Sequence, residues 1–155
     1  MRVVVTGAGR GIGRHLAELY RAQGHEVIGT ARDGSSDVAL DVAEPAQFSR
    51  LADALGDGPL DLLICNAGIY ADKGQPLDTG YPPAMWAETF AVNVTGVFLT
   101  VQAALPALRR AERAKIGILS SQMASSQRAP GGSYIYRASK AAALNLGRNL
   151  ATDLK

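Results

Sequence analysis

The sequence predicts a doubly wound α/β domain built on a parallel sheet. Three observations carry that prediction: apolar runs of strand length recur along the chain, segments of helical periodicity separate most of them, and the runs are continuously apolar rather than alternating. A strand that is apolar on both sides is buried on both faces, and strands separated by helices are joined in parallel by crossovers. With 155 residues, 47% apolar and 19% charged, the chain has material for one such domain, residues 1–155. Seventeen glycines against three phenylalanines and one tryptophan point to tight turns and close backbone approaches rather than an aromatic core.

The first strand is RVVVT, residues 2–6, and TGAGRGIG leads from it into a helix over 12–23. A helix N-terminus offers unpaired N–H groups and a partial positive charge, so a turn lacking side chains can bring backbone donors up to a diphosphate. The spacing Gly7-x3-Gly11-x-Gly13 fits no register of G-x-G-x-x-G, and a plain turn with a cap is the alternative. The second strand, EVIGT at 26–30, is followed by Ala31, Arg32 and Asp33. Only DGSSD separates Arg32 from the third strand, VALDV at 38–42, which is too short for a crossover helix and predicts a loop.

A helix over 45–55 leads to the fourth strand, LDLLICN at 60–66, and so to Asn66, Ala67 and Gly68. Ligands of parallel sheets lie at the carboxyl ends of strands, which makes these three binding candidates, although Asn and Gly also suit a simple turn. The helix over 84–110 contains NVTG at 93–96. Three poor helix formers in one turn predict a kink, a buried polar task for Asn93, or a tolerated surface patch. Trp86 and Phe90 share a face of this helix, as core or interface. The fifth strand, KIGILS at 115–120, ends on Ser120, with Ser121 next; alternation turns one of the two toward the cleft.

The last helix, 136–154, starts at Tyr136, and Lys140 four residues on shares its face. A phenol with a pKa near 10 must fall about three units, roughly 4 kcal/mol, to work near neutrality. An ammonium about 4 Å away at an effective dielectric of 20 supplies about 4 kcal/mol. The spacing therefore suits proton transfer.

Several classes of function are disfavoured. A net charge of +2 with dispersed basic residues argues against nucleic acid as a partner. Cys65 is the single cysteine, which excludes an internal disulfide or a cysteine metal cluster and fits a reducing cytoplasm. His15 and His25 have no companions for a metal site, so none is expected. No secretion leader is expected before RVVV, and no stretch is expected to reach the length of a membrane span. The chain stops at NLATDLK, which leaves the strand at 115–120 with an open apolar edge. The expectation is that these residues are a fragment, or form an incomplete sheet that a partner completes. Helices 84–110 and 136–154 are apolar or small over more of their circumference than one sheet face covers, so a homodimer or homotetramer is expected.

In this order, TGxxxGxG, NAG, N-V-x-G, S-S and Y-x-x-x-K resemble the short-chain dehydrogenase/reductase family over nearly the whole chain. The resemblance implies a Rossmann-type fold and NAD(P)-dependent hydride transfer between a nicotinamide and a small carbonyl or secondary alcohol. It implies Asn93, Ser121, Tyr136 and Lys140 as the catalytic set. Tyr136 would be the general acid, Lys140 would also hold the nicotinamide ribose, Ser121 would donate to the oxyanion, and Asn93 would hold a proton-relaying water. For the cofactor it implies Gly7, Arg10, Gly11, Ile12 and Gly13 in the first turn and Arg32 after the second strand. It further implies Asp41 and Val42 near the adenine, Asn66, Ala67 and Gly68 after the fourth strand, and Tyr136 and Lys140 themselves. Asp41 could instead cap AEPAQF.

The chain departs from the family at Cys65, where another Asn is usual, in a longer gap from Ser121 to Tyr136, which keeps Ser120 as a second candidate, and in lacking the C-terminal part. A non-catalytic nucleotide-binding or scaffold protein is the rival reading. NADP is expected over NAD, because Ala31 stands where NAD selection uses a carboxylate, and Arg10 and Arg32 could converge on a 2′-phosphate. Asp33 would reverse this preference if the second strand ended later, and a merely solvated Arg32 is the other alternative.

Overall fold

A computed structural model describes all 155 residues. The chain divides into two compact units, one of residues 1–67 and 96–119 and the other of residues 68–95 and 120–155.

The first unit holds the sheet. Its elements are β1 (Arg2–Thr6), α1 (Gly11–Ala22), β2 (Glu26–Ala31), β3 (Val38–Ala39), a 3₁₀ turn (Pro45–Gln47), α2 (Phe48–Leu55) and β4 (Leu62–Cys65). All five strands of the molecule are parallel in the order β3-β2-β1-β4-β5, with β5 at Lys115–Ile118. The helix preceding β5 in this unit runs over Gly96–Arg110.

Continuous apolarity in β1 has the predicted meaning. Val3, Val4 and Val5 are all fully buried. Val3 and Val5 pack with Ala8, Ala17 and Ile64 on the side of α1, and Leu16, Tyr20 and Val27 border that core. Val4 and Leu63 point the other way by strand alternation. On that side Leu51, Leu55, Val101 and Ala104 are buried, and the main-chain carbonyl of Ala107 accepts the N–H of Leu60 at 3.0 Å.

The short link after β2 is a loop, as the five residues DGSSD require. It folds back on β2: the Asp37 carboxylate accepts the Gly29 N–H at 2.7 Å, a donor that no strand partner takes. Among the boundaries that differ from the sequence reading are the ends of β2 and β3. β2 runs one residue further, to Ala31. β3 stops at Ala39 instead of 42, because Asp41 turns the chain by accepting the Ala43 N–H on its side chain at 2.9 Å and the Glu44 N–H on its carbonyl at 3.0 Å.

The second unit contains α3 (Pro83–Phe90), a π-helical turn (Ala91–Thr95), a 3₁₀ turn (Gln122–Ala124) and α5 (Tyr134–Asp153); the helix Gly96–Arg110 is thus α4. The helix expected over 84–110 is present with an interruption at NVTG. Both a distorted turn and a buried polar task are realised, since the π turn contains Asn93 and its side chain is fully buried. Trp86 and Phe90 stack at 6.0 Å between ring centres, with Trp86 more than one third exposed and so outside the core.

One expectation is corrected. The helical stretch Pro83–Arg110 does reach spanning length, with a mean hydropathy of 1.5 in its most apolar window. In α4 the reason is packing: Gly96, Val97, Thr100, Val101, Ala104, Ala107 and Leu108 form one buried stripe.

Candidate functional site

In the first unit the turn between β1 and α1 is braced from below by a single hydroxyl. Thr6 Oγ1 accepts the N–H groups of Asn66 and Ala67, both at 3.1 Å. Asn66 Nδ2 in turn donates to the carbonyls of Thr6 at 2.9 Å and Gly7 at 3.2 Å. Both hydrogens of the Asn66 amide thereby tie the glycine turn to the end of β4. Gly13 is needed for this joint, since a Cβ there would lie 2.3 Å from both the Gly7 carbonyl oxygen and Asn66 Nδ2.

Gly11 is different. Its φ of +57° requires glycine, yet a Cβ would meet nothing within 4 Å. The open space lies at the first turn of α1, where Arg10 caps without a side-chain hydrogen bond and no acidic residue stands. Ile12 is 66% exposed there. A 12-residue helix with unspent N–H donors, no carboxylate and an exposed apolar side chain fits a dinucleotide diphosphate.

After β2, Ala31 is buried while Arg32 and Asp33 are exposed. Asp33 Oδ1 accepts both the hydroxyl and the N–H of Ser35, at 2.6 and 3.1 Å, and these bonds hold its carboxyl below the usual range. The three ion pairs use Arg2, Arg14 and Arg21, so neither Arg10 nor Arg32 is committed to a carboxylate. Asp41 spends Oδ1 on Ala43, the capping alternative, and keeps its second oxygen. Val42 is buried, and its carbonyl oxygen and Cβ both lie against Gly96, where a Cβ would come within 2.7 and 2.9 Å of them. Cys65, 2% exposed, has its thiol pushed up to about 12 by burial.

The second unit contains all four predicted catalytic side chains and Gly68. Tyr136 and Lys140 lie on one face of α5, with Lys140 Nζ 5.9 Å from the centre of the phenol ring. Lys140 is 6% exposed, and burial lowers its pKa.

The two serines separate clearly. Ser120 Oγ donates to the Lys140 carbonyl at 3.0 Å, which fastens α5. Ser121 Oγ accepts the Met123 N–H at 3.1 Å, an arrangement that leaves its own proton to donate. Asn93 is more occupied than the sequence suggests. Its Oδ1 accepts the Ile69 N–H at 2.8 Å, and its Nδ2 donates to the Ile69 carbonyl at 2.9 Å and to Ser139 Oγ at 3.0 Å. Only one side-chain lone pair remains for a water.

Three contributors escaped the sequence reading. Tyr70 stacks on Tyr136 at 4.2 Å between ring centres, Ser139 Oγ donates to the Tyr136 carbonyl at 2.8 Å, and buried Asp72 accepts N–H groups at the start of α5. Position within NAGIYAD is the one signal that could have flagged Asp72, the single charged residue of that stretch.

The short chain dehydrogenase family profile matches residues 1–155. A rhamnolipids biosynthesis 3-oxoacyl-acyl-carrier-protein reductase of Pseudomonas aeruginosa is 34% identical, over 97% of this chain and 66% of that protein. A 2-keto-3-deoxy-L-fuconate dehydrogenase of Xanthomonas campestris is 33% identical, over 98% of this chain and 53% of that protein. The chain thus spans roughly half to two thirds of these relatives. Among solved structures, the RhlG/NADP active-site complex of Pseudomonas aeruginosa superposes with a TM-score of 0.87 at 32% identity, covering 99% of this chain and 66% of that one. An NADPH-bound carbonyl reductase from chicken fatty liver gives 0.86 at 28%, covering 98% and 73%. With the whole sequence inside the family profile and the sheet superposing on its members, the chain belongs to the short chain dehydrogenase family.

Proposed function

We propose that this protein is an NADP-dependent oxidoreductase that interconverts a small carbonyl and a secondary alcohol, with residues 1–155 acting as one dinucleotide-binding and catalytic domain. The observation that carries the reading is the pairing of Tyr136 with buried Lys140 on α5. A bound nicotinamide supplies or accepts the hydride. Tyr136 gives its phenolic proton to the carbonyl oxygen in reduction and recovers it in oxidation. Lys140 favours the phenolate by its charge, Ser121 donates a hydrogen bond to the developing oxyanion, and Asn93 keeps one acceptor for a water on the proton path.

Gly7, Gly11, Ile12, Gly13, Ala67 and Gly68 form the cofactor cradle in this reading, with Asn66 as its brace and Asp41 offering its second oxygen to the adenine. The uncommitted guanidiniums of Arg10 and Arg32 support a 2′-phosphate. β2 ends one residue later than the sequence reading, which brings Asp33 forward as a ribose ligand, and Ser35 occupies only its Oδ1, so a preference for NADH is the competing outcome of the titration. The relatives act on or bind what their names state, a 3-oxoacyl-acyl-carrier-protein and NADPH among them. A single buried cysteine agrees with the cytoplasm. Exposed apolar side chains on α3 and α5 support self-association.

The test combines nucleotide titration with turnover over a ketone panel. NADPH should bind more tightly than NADH, Arg32→Ala should weaken NADPH by about 1.5–3 kcal/mol and leave NADH nearly unchanged, and Tyr136→Phe should cost well over tenfold in kcat. Equal affinity for the two cofactors refutes the NADP preference. A loss below tenfold refutes the role of Tyr136, and binding without turnover on any ketone favours a nucleotide-binding scaffold.

A further inference from the structure

The first turn of α5 has no cap of its own. Ser133, immediately before it, has a left-handed φ of 49° and makes no side-chain cap bond. The orphan N–H groups are met instead from sixty residues away. Asp72 is fully buried, its Oδ2 accepts the Ile135 N–H at 2.8 Å, and both carboxylate oxygens lie 3.3 Å from the Tyr136 N–H. This remote cap is also why α5 begins at Tyr134 rather than at 136.

What Asp72 holds is itself held. Ile69, three residues earlier, has its N–H and its carbonyl both bonded to the Asn93 side chain. Asn93 also donates to Ser139 Oγ, and that hydroxyl donates to the Tyr136 carbonyl. The backbone of Tyr136 is thus gripped at its N–H by Asp72 and at its carbonyl by Ser139, and both grips lead back to Asn93. Between Ile69 and Asp72, Tyr70 lies against the Tyr136 ring and its hydroxyl shares a hydrogen bond with Ser133 Oγ. A closed ring of contacts fixes where the phenol stands.

We infer that Asp72 is a positioning residue of the reaction: it sets the start of α5, and through it the direction of the Tyr136 phenol. The inference rests on the functional reading above. A carboxylate is suited to the task because one group can accept two successive helix N–H bonds and oppose the positive end of the helix. Buried and bonded to main chain, Asp72 has no part in holding nucleotide or substrate.

The full chain carrying Asp72→Ala or Asp72→Asn tests this. The readouts are kcat and KM with NADPH over the ketone panel, NADPH affinity, amide exchange at residues 135–137, and the ring resonance of Tyr136 assigned with Tyr136→Phe. Displacing a reacting group by about 1 Å costs on the order of a hundredfold, so Asp72→Ala should lower kcat by roughly 30–100-fold while KM and NADPH affinity stay within about threefold. The Tyr136 resonance should move and the three amides should exchange faster. Asp72→Asn keeps an acceptor for Ile135 and should recover part of each change; it also serves if the alanine variant does not fold. An unchanged kcat with an unmoved Tyr136 resonance overturns the inference, as does a loss matching only the unfolded fraction. If the parent chain reduces no ketone, the functional reading fails, and exchange and the Tyr136 resonance still decide on Asp72.

Discussion

At the scale of single residues, the groups that matter most in the first unit are those whose partners lie far away in sequence. Thr6 is read from RVVVT as the end of a strand, and nothing near it shows that its hydroxyl will receive two N–H groups some sixty residues on. Thr6→Val keeps the shape and leaves the Ala67 N–H without its acceptor, while the Asn66 N–H keeps the Ile64 carbonyl at 3.1 Å, so the urea midpoint should fall by the equivalent of about 1–3 kcal/mol. Asn66 was legible as a residue of the site but not in its direction, because sequence shows an amide and not where its hydrogens go. Cys65 gives a prediction in pH. Its folded pKa, about 12, lies above the ordinary 9.0, so the contribution of the thiol to stability is whole below pH 9 and declines as pH rises through 9 toward 12. At pH 10 the loss is about 1.4 kcal/mol. Lys140 acts in the opposite sense just below 10.5, where its lowered pKa makes stability rise with pH, so the thiol is isolated by comparison with Cys65→Ala. The variant's unfolding free energy should fall less between pH 8 and 10 than the parent's.

Elements were more legible than their ends. The strands β1, β2, β4 and β5 and the helices α1, α4 and α5 follow from apolar runs and periodicity, which are local properties of the chain. Their limits are set by bonds that are not local: Asp72 starts α5 early, and the turn at Asp41 ends β3 early. The π turn was visible only as a run of poor helix formers, which signals trouble without giving its form. The start of α1 is the most demanding of these boundaries. Gly13→Ala puts a methyl group 2.3 Å from a backbone oxygen that cannot move away without breaking the joint to β4. We expect a loss of several kcal/mol or failure to fold, and, in whatever folds, a loss of nucleotide binding in titration. Gly11→Ala meets no atom, so only its positive φ opposes it, at about 1 kcal/mol.

For the whole molecule, the apolar side chains of Trp86, Phe98 and Leu144 are exposed, one each on α3, α4 and α5. A sedimentation profile at micromolar concentration should show a species larger than the monomer, and charged substitution at Trp86 should reduce it. The sheet carries a different consequence, one of time. In the order β3-β2-β1-β4-β5, β1 is made first yet lies in the middle, and its second neighbour, β4, ends only at Cys65. Synthesis at about 5–20 residues per second leaves Val3, Val4 and Val5 half-paired for several seconds. During that interval the most apolar stretch of the nascent chain offers an open edge, and β2, arriving first with its six residues, can shield one side alone. Recovery of folded protein should therefore depend on how slowly, and how cold, the chain is made.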